Sequence, residues 1–316
     1  MKGLTDIPGI KVGHASDFEA LTGCTAILCE SGAVAGYCIR GYATGTQEMD
    51  VMDPLHITGA IHGVCLAGGS AFGLEAASGV RRVLEARGAG FKTPHGVVPI
   101  VPAAILYDLG LAKPGVRPTR EMGEVAASAA HSGPVVEGCV GAGVGATCGK
   151  LLGMARAMKS GVGSFTVEVQ GARVCALVVA NPAGDILDPA TGKILAGART
   201  AGRDLEFANS VELMLRGRAS PPLVRQNTTL AVVATDARLT KVQARRLAEL
   251  ASQGMVRAIA PVNTTADGDL VIALSLGSKE APEDALGLAA AEAVAQSIAR
   301  AARLAKPLGG LPGLGS

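Results

Sequence analysis

The chain has 316 residues, room for one large domain or two ordinary ones, and its 48% hydrophobic against 18% charged content excludes a disordered chain. Glycine supplies 43 residues without a Gly-X-Y period, which excludes collagen, and with 3% aromatics and no Trp the core must be built from Ala, Val, Leu and Ile. The formal charge is +2 and no basic run exceeds the pairs Arg81-Arg82 and Arg245-Arg246, so no nucleic-acid partner is expected.

Met1 to Lys11 holds no apolar run, so no secretory signal is expected. Ile10 to Val12, Thr25 to Cys29 and Ala33 to Ile39 read as early strands. Pro54 to Leu74 is uncharged, but Pro54, His56, His62 and its glycines argue for a buried strand and helix rather than a membrane span. A helix is expected after Gly68-Gly69, with Ser70 as N-cap, Ala76, Val80, Val83 and Leu84 on one face, and Gly88 as its stop. Val97 to Leu106 is apolar and Pro-broken, and Arg120 to Ala130 is helical. Gly138 to Gly149 is glycine-dense. Phe165 to Val169 and Val174 to Ala180 pair as a hairpin around Gly171. A polar connector from Arg199 to Asn227 holds a short helix near Val211 and then Ser220-Pro221-Pro222. Leu230 to Ala234 is a buried strand, and Thr240-Lys241-Val242-Gln243 is a capping box that opens a helix. Leu270 to Leu274 is a further strand, Glu280 to Ala305 a long Ala-rich helix, and Pro307 to Ser316 a loose tail. No internal repeat is present. The alternation defines a layered α/β protein.

The seven cysteines form no CxxC and sit in apolar runs, which fits free thiols in a reducing cytoplasm. His14, His56, His62, His95 and His131 show no zinc-ligand spacing, so no metal and no cofactor is expected. Val140 to Ala146 contains a GxGxxA match, but it lacks the preceding strand and following acid of a dinucleotide site. Gly149-Lys150 lacks the glycine and hydroxyl of a phosphate loop. Lys150 is of more interest, because burial lowers a lysine pKa and makes it chemically useful. Taken alone, Asn227-Thr228-Thr229 reads as a turn before a strand, and Asp267-Gly268-Asp269 as a polar turn.

Six stretches change that reading when taken in order. They are Pro8-Gly9-Ile10-Lys11-Val12-Gly13-His14, Leu66 to Leu74, Val140 to Lys150, Val178-Val179-Ala180-Asn181-Pro182, Asn227 to Asp236, and Asp267-Gly268-Asp269. Together they resemble the self-cleaving L-aminopeptidase/D-esterase (DmpA-type) peptidase family, which includes β-aminopeptidases and nylon-oligomer hydrolases. The resemblance implies one four-layer αββα sandwich domain over 1–316, layered like N-terminal-nucleophile hydrolases and like ornithine acetyltransferases. It implies self-cleavage between Asn227 and Thr228 into an α subunit, 1–227, and a β subunit, 228–316. Thr228 then resembles the family nucleophile, with its own new α-amine as base. Asn181 resembles the oxyanion donor, Lys150 the nearby positive group, and Asp267 and Asp269 the pair that orients the nucleophile. Tyr107, Gly69 and Ser70 fall where the family lines its substrate pocket. A Thr nucleophile with an Asp-Gly-Asp pair is closer to the nylon-oligomer hydrolases than to the β-aminopeptidases. The resemblance also implies a cytoplasmic homo-oligomer, a tetramer of cleaved pairs, acting on small peptides, amides or oligomers. An ornithine acetyltransferase-like acyl transferase and an unprocessed, non-catalytic homologue are the alternatives.

Overall fold

The computed structural model describes residues 1–113, 115–200, 205–218 and 227–316. Ser220-Pro221-Pro222 of the polar connector lies outside these residues. Among them, nine strands carry the fold: β1 (Lys11–Asp17), β2 (Thr22–Ile39), β3 (Gly45–Gln47), β4 (Ile61–Ala67), β5 (Ala103–Ile105), β6 (Val162–Val169), β7 (Ala172–Asn181), β8 (Thr228–Ala237) and β9 (Leu270–Lys279). The helices are α1 (Ala76–Ala86), α2 (Arg120–Ser128), α3 (Ser210–Leu215), α4 (Lys241–Ala251), α5 (Gln253–Ala258) and α6 (Glu283–Arg303).

The two early strands expected at 25–29 and 33–39 are one continuous β2. Its first half pairs with β1 and β4 in a sheet that continues through β5 to β3. Its second half, residues 34–39, pairs with β9 in a sheet ordered β6-β7-β8-β9-β2. Gly32, at φ +89°, sits between the halves, where the pairing register shifts.

Period-two alternation then sorts the side chains into layers. Leu177, Val179, Leu230, Val232, Leu270 and Ile272 face Ile27, Val64 and Leu66 of the other sheet in one core. The alternate residues Val178, Val233 and Val271 face α4, α5 and α6. Ala26, Leu28 and Cys65 face α1 and α2. The order helix, sheet, sheet, helix is the expected αββα sandwich. The glycines let the layers approach closely: a Cβ on Gly163 would overlap the Ser297 carbonyl of α6, and one on Gly36 the backbone of Arg245 in α4.

Local expectations hold at several points. Gln170 and Gly171, both at positive φ, make the two-residue hairpin turn between β6 and β7. Thr240 and Gln243 form the capping box of α4, and Asn209 caps α3 near Val211. Two expectations fail. Ser70 is not a helix N-cap; it begins a tight turn, Ser70–Glu75, at φ +54°, and the α-helix starts only at Ala76. The tail is docked rather than loose. Lys159 N donates to the Pro312 carbonyl at 2.8 Å, Gly315 N to the Ala305 carbonyl at 2.8 Å, and Leu311 is buried. Backbone bonds to Lys159 and to the chain just beyond α6 hold it, contacts that composition does not reveal.

The topology decides where chemistry can gather. β7, β8 and β9 are neighbours, with Asn181 paired to Thr228 and Leu230 to Leu270. The end of β7, the start of β8 and the approach to β9 therefore meet at one edge of the sandwich.

Candidate active site

The register brings Asn227, Thr228, Asn181, Asp267 and Asp269 together, all buried. A parallel bridge joins Asn227 to Asp267 just before β8 and β9 begin their ladder. Through it Gly268 N donates to the Asn227 carbonyl at 2.8 Å. Thr228 Oγ1 lies 2.6 Å from the same carbonyl oxygen and donates to it. The carbonyl of the 227–228 peptide thus accepts from a backbone amide and from the hydroxyl of the residue that follows it. Gly268 has no room for a side chain: a Cβ would lie 2.8 Å from Thr228 Oγ1 and 2.7 Å from the Ala43 carbonyl.

The two carboxylates are held differently. Asp269 Oδ1 accepts from Thr229 N at 2.6 Å and Oδ2 from Asn263 N at 3.0 Å. Burial, and then the charge of Asp267, raise its pKa, against the pull of those two N–H groups. Asp267 Oδ2 accepts from Thr264 N at 2.9 Å and Thr264 Oγ1 at 2.6 Å, while its buried Oδ1 has no partner among the described residues. The chain beyond β2 clasps the acid loop from outside: Gly41 N donates to the Asp269 carbonyl and Ala43 N to the Asp267 carbonyl.

Asn181 gathers the basic side. Its Oδ1 accepts from Lys150 Nζ at 2.8 Å and from Thr147 N at 3.1 Å, and Lys150 Nζ also reaches the Asn181 carbonyl at 3.0 Å. Donors on Oδ1 fix which end of the amide is Nδ2, which donates to the Tyr107 carbonyl at 3.1 Å. Tyr107 meets the cluster through its backbone; its phenol makes no hydrogen bond among the described residues. Burial of the Lys150 ammonium brings its pKa down to about 7; Asp267 and Asp269 oppose that shift and the charge of Lys159 adds to it.

Gly69 and Ser70 stand one step further out. Gly69 N donates to Asp108 Oδ1 at 2.8 Å and Ser70 N to the Leu106 carbonyl at 3.0 Å, so the residues on either side of Tyr107 hold this turn.

Two functional neighbours escape sequence reasoning. Asp108 is buried, accepts from Thr22 Oγ1 at 2.7 Å as well as from Gly69, and is raised in pKa by burial. Lys159 is fully buried, and its Nζ donates to the carbonyls of Val144 and Ala146, both at 2.7 Å. It pins the glycine-rich stretch that carries Thr147 and Lys150. The only sequence signal for Asp108 is its place beside Tyr107; Lys159 has none.

Among the described residues no group of three or more His, Cys, Asp or Glu is placed to hold a metal ion, and no helix is long and apolar enough to cross a membrane. The cysteines are free and six of the seven are buried.

A hydroxyl, a clamped amide, an ammonium and two buried carboxylates thus gather at the edge of an αββα sandwich. The model of Peptidase family S58 matches residues 2–314, and the chain belongs to that family. An uncharacterized aminopeptidase of Mycobacterium leprae is 36% identical over 343 residues, covering 99% of this chain and 93% of that one. A 6-aminohexanoate-oligomer endohydrolase of Kocuria sp. is 31% identical over 285 residues, covering 88% of this chain and 76% of its own. Among solved structures, the L-aminopeptidase D-Ala-esterase/amidase of Ochrobactrum anthropi, described as a variant of the Ntn hydrolase fold, superposes with a TM-score of 0.72 at 24% identity, covering 98% of this chain and 88% of that one, a likeness of fold. A Burkholderia sp. β-aminopeptidase gives 0.68 at 25% identity, covering 99% and 91%.

Proposed function

We propose that this chain cuts itself between Asn227 and Thr228, and that the released Thr228 is the nucleophile of an amide hydrolase acting on short peptides, amino-acid amides or esters, or linear amide oligomers. The observation that carries the reading is the double engagement of the Asn227 carbonyl, by Gly268 N at 2.8 Å and Thr228 Oγ1 at 2.6 Å. Attack of Oγ1 on the Asn227 carbonyl carbon forms a C–O bond and puts negative charge on the oxygen that Gly268 N–H faces. The C–N bond then breaks, Thr228 N takes the proton, and an ester links Asn227 to the Thr228 hydroxyl. Water opens the ester and leaves a carboxylate on Asn227 and an α-amine on Thr228.

That amine, with an ordinary pKa of roughly 7.7–8.0, is the base for later turnovers. It takes the Thr228 hydroxyl proton as Oγ1 attacks the substrate carbonyl, and returns it to the departing amine. The Asn181 amide stabilises the oxyanion, and Lys150 holds that amide and adds positive charge. The buried Oδ1 of Asp267 receives the new ammonium group, and Asp269 fixes Thr229 and with it the start of β8. Tyr107, Gly69 and Ser70 line the substrate side. The aminopeptidase and 6-aminohexanoate-oligomer endohydrolase relatives support the substrate range, and the Thr with Asp-Gly-Asp set favours the oligomers. A reducing, cytoplasmic setting suits the unpaired thiols, and the cleaved pairs are expected to assemble as tetramers.

A denaturing gel with N-terminal sequencing tests the reading. The small fragment should begin at Thr228. Thr228→Ala should remain one chain and lose at least about a thousandfold in activity, as expected when a nucleophile is removed. An intact native chain after prolonged incubation, or an active Thr228→Ala, would overturn it.

A further inference from the structure

Among the described residues outside the catalytic cluster, one cation stands without a counter-charge beside the turn assigned to substrate. Resting on that assignment of Gly69 and Ser70, we propose that Arg117 binds the terminal carboxylate of the substrate's leaving half, so that the site selects peptides or amide oligomers that end in a free acid.

Position comes first. A Cβ on Gly69 would lie 2.8 Å from Pro118 Cδ and 3.3 Å from Arg117 Cβ, so the 117–118 segment rests directly on Gly69. The Arg117 guanidinium carbon stands 4.0 Å from the centroid of the Phe72 ring, two residues beyond Ser70. A run of bonded neighbours leads inward: Gly69 and Ser70 bond to Asp108 and Leu106, Tyr107 lies between those two, its carbonyl accepts from Asn181 Nδ2, and Asn181 pairs with Thr228.

Chemistry comes second. The other arginines of this helical layer are matched with acids: Arg81 with Glu48, Arg82 with Glu124, and Arg120 with Glu121. Arg117 forms no ion pair among the described residues, and its Nε is buried with no hydrogen-bond partner. A desolvated guanidinium N–H without an acceptor is uncommon in a folded chain. Stacking on Phe72, which is itself 59% exposed, holds the group in place through its face. The donors lie in the guanidinium plane, in the fork that matches a carboxylate. In a reaction that passes the N-terminal half of a substrate to Thr228, the half that leaves carries the C-terminus. The anion every linear peptide or aminohexanoate oligomer has at that end is a carboxylate.

The test compares di-, tri- and tetra-alanine as free acids with the same peptides as C-terminal amides. In the native protein kcat/KM for the acid should exceed that for the amide by about tenfold at the best-fitting length, the worth of one charge-assisted contact. Arg117→Met, which keeps a long side chain on Phe72, should bring the ratio to within about twofold of one. Arg117→Lys, which keeps charge but not the fork, should fall between and be more salt-sensitive. Calorimetric binding of the same acids and amides to the Thr228→Ala chain, with and without Arg117→Met, gives the ratio without turnover. If no peptide is hydrolysed, the proposed function fails and the binding ratio still decides this inference. A ratio near one in the native protein, or a ratio unchanged by Arg117→Met, overturns it.

Discussion

The two sides of the cluster are held by different means. The acidic side, Asn227 to Thr229 with Asp267 to Asp269, is an extension of the parallel β8–β9 ladder. Most of its bonds are donated by backbone amides to carbonyls or carboxylates, as in Gly268 N to the Asn227 carbonyl and Thr229 N to Asp269. The basic side, Val140 to Lys159, has little regular structure: short turns at Gly141–Gly143, Lys150–Leu152 and Met154–Arg156, and a two-residue pairing of Thr147 with Lys159 and Cys148 with Met158. Side chains do much of the holding, Lys159 on two of its carbonyls and Asn181 on Thr147 and Lys150, beside a few backbone bonds such as Gly149 N to the Gly184 carbonyl and Lys150 N to the Ala183 carbonyl, both at 2.9 Å. A ladder fixes atoms cooperatively, whereas an arm pinned by a few side chains concentrates its order in them. Damage to the ladder should abolish chemistry, and damage to the arm should weaken it.

The largest effect should come from Gly268→Ala. The added methyl would lie 2.8 Å from the Thr228 hydroxyl and 2.7 Å from the Ala43 carbonyl, between two segments fixed by backbone bonds. Neither can give way cheaply, so the amide donor and the hydroxyl are both displaced from the Asn227 carbonyl. Loss of one such donor is worth about 10²–10³ in rate, and self-cleavage should slow by at least that much. Intact-mass measurements over time read the fraction cut. Cleavage at the native rate would show that the ladder does not hold the peptide as described.

Lys159→Met should have a smaller effect. It removes the donor from the carbonyls of Val144 and Ala146, buried beneath the arm. Burying an ammonium is costly, and burial has already brought the Lys159 pKa down to about 8, so its removal relieves part of that cost. The Val144 carbonyl is orphaned and the Ala146 carbonyl keeps only Ser160 N at 3.1 Å; together these losses outweigh the relief, and a net loss of about 1–3 kcal/mol is expected in urea unfolding. Activity should fall about tenfold while Asn181 and Lys150 lose their shared geometry. An unchanged midpoint together with native activity would mean that the arm holds itself.

The same contrast governs what could be read from sequence. β8 and β9 announce themselves as apolar runs, Leu230 to Ala234 and Leu270 to Leu274, and the capping box at Thr240 fixes the start of α4. The αββα order, however, came from the resemblance, because alternation alone does not say that β2 serves both sheets. The acids 267 and 269 read alone as a plain turn; the resemblance assigned them a role, and the parallel register carries them to Asn227. Lys159 was invisible: its partners lie 15 and 13 residues back along the chain, and only the folded arm brings them near. Arg117 was invisible for the opposite reason, since what distinguishes it is a missing acid.

The smallest and most diagnostic effect is on stability against pH, best measured by urea unfolding of the uncut Thr228→Ala chain. Lys150 is held at about 7 and Lys159 at about 8, both chiefly by burial. In the unfolded chain both return to about 10.4 and stay protonated well above neutrality. Between these values the unfolded state binds more protons than the folded one, so stability rises with pH, by up to one proton's worth of slope per lysine. The buried thiols set the upper end. Cys29, Cys65, Cys148 and Cys175 are pushed up to about 12 by burial, so from about pH 8 upward the unfolded chain ionises first and the thiols offset the lysines. Between about pH 7.5 and 9, Lys150→Met and Lys159→Met should therefore each make the slope of stability against pH less positive than in the parent chain. Slopes untouched by both substitutions would put the two ammonium groups in water. The basic arm would then be an open loop rather than a wall of the site.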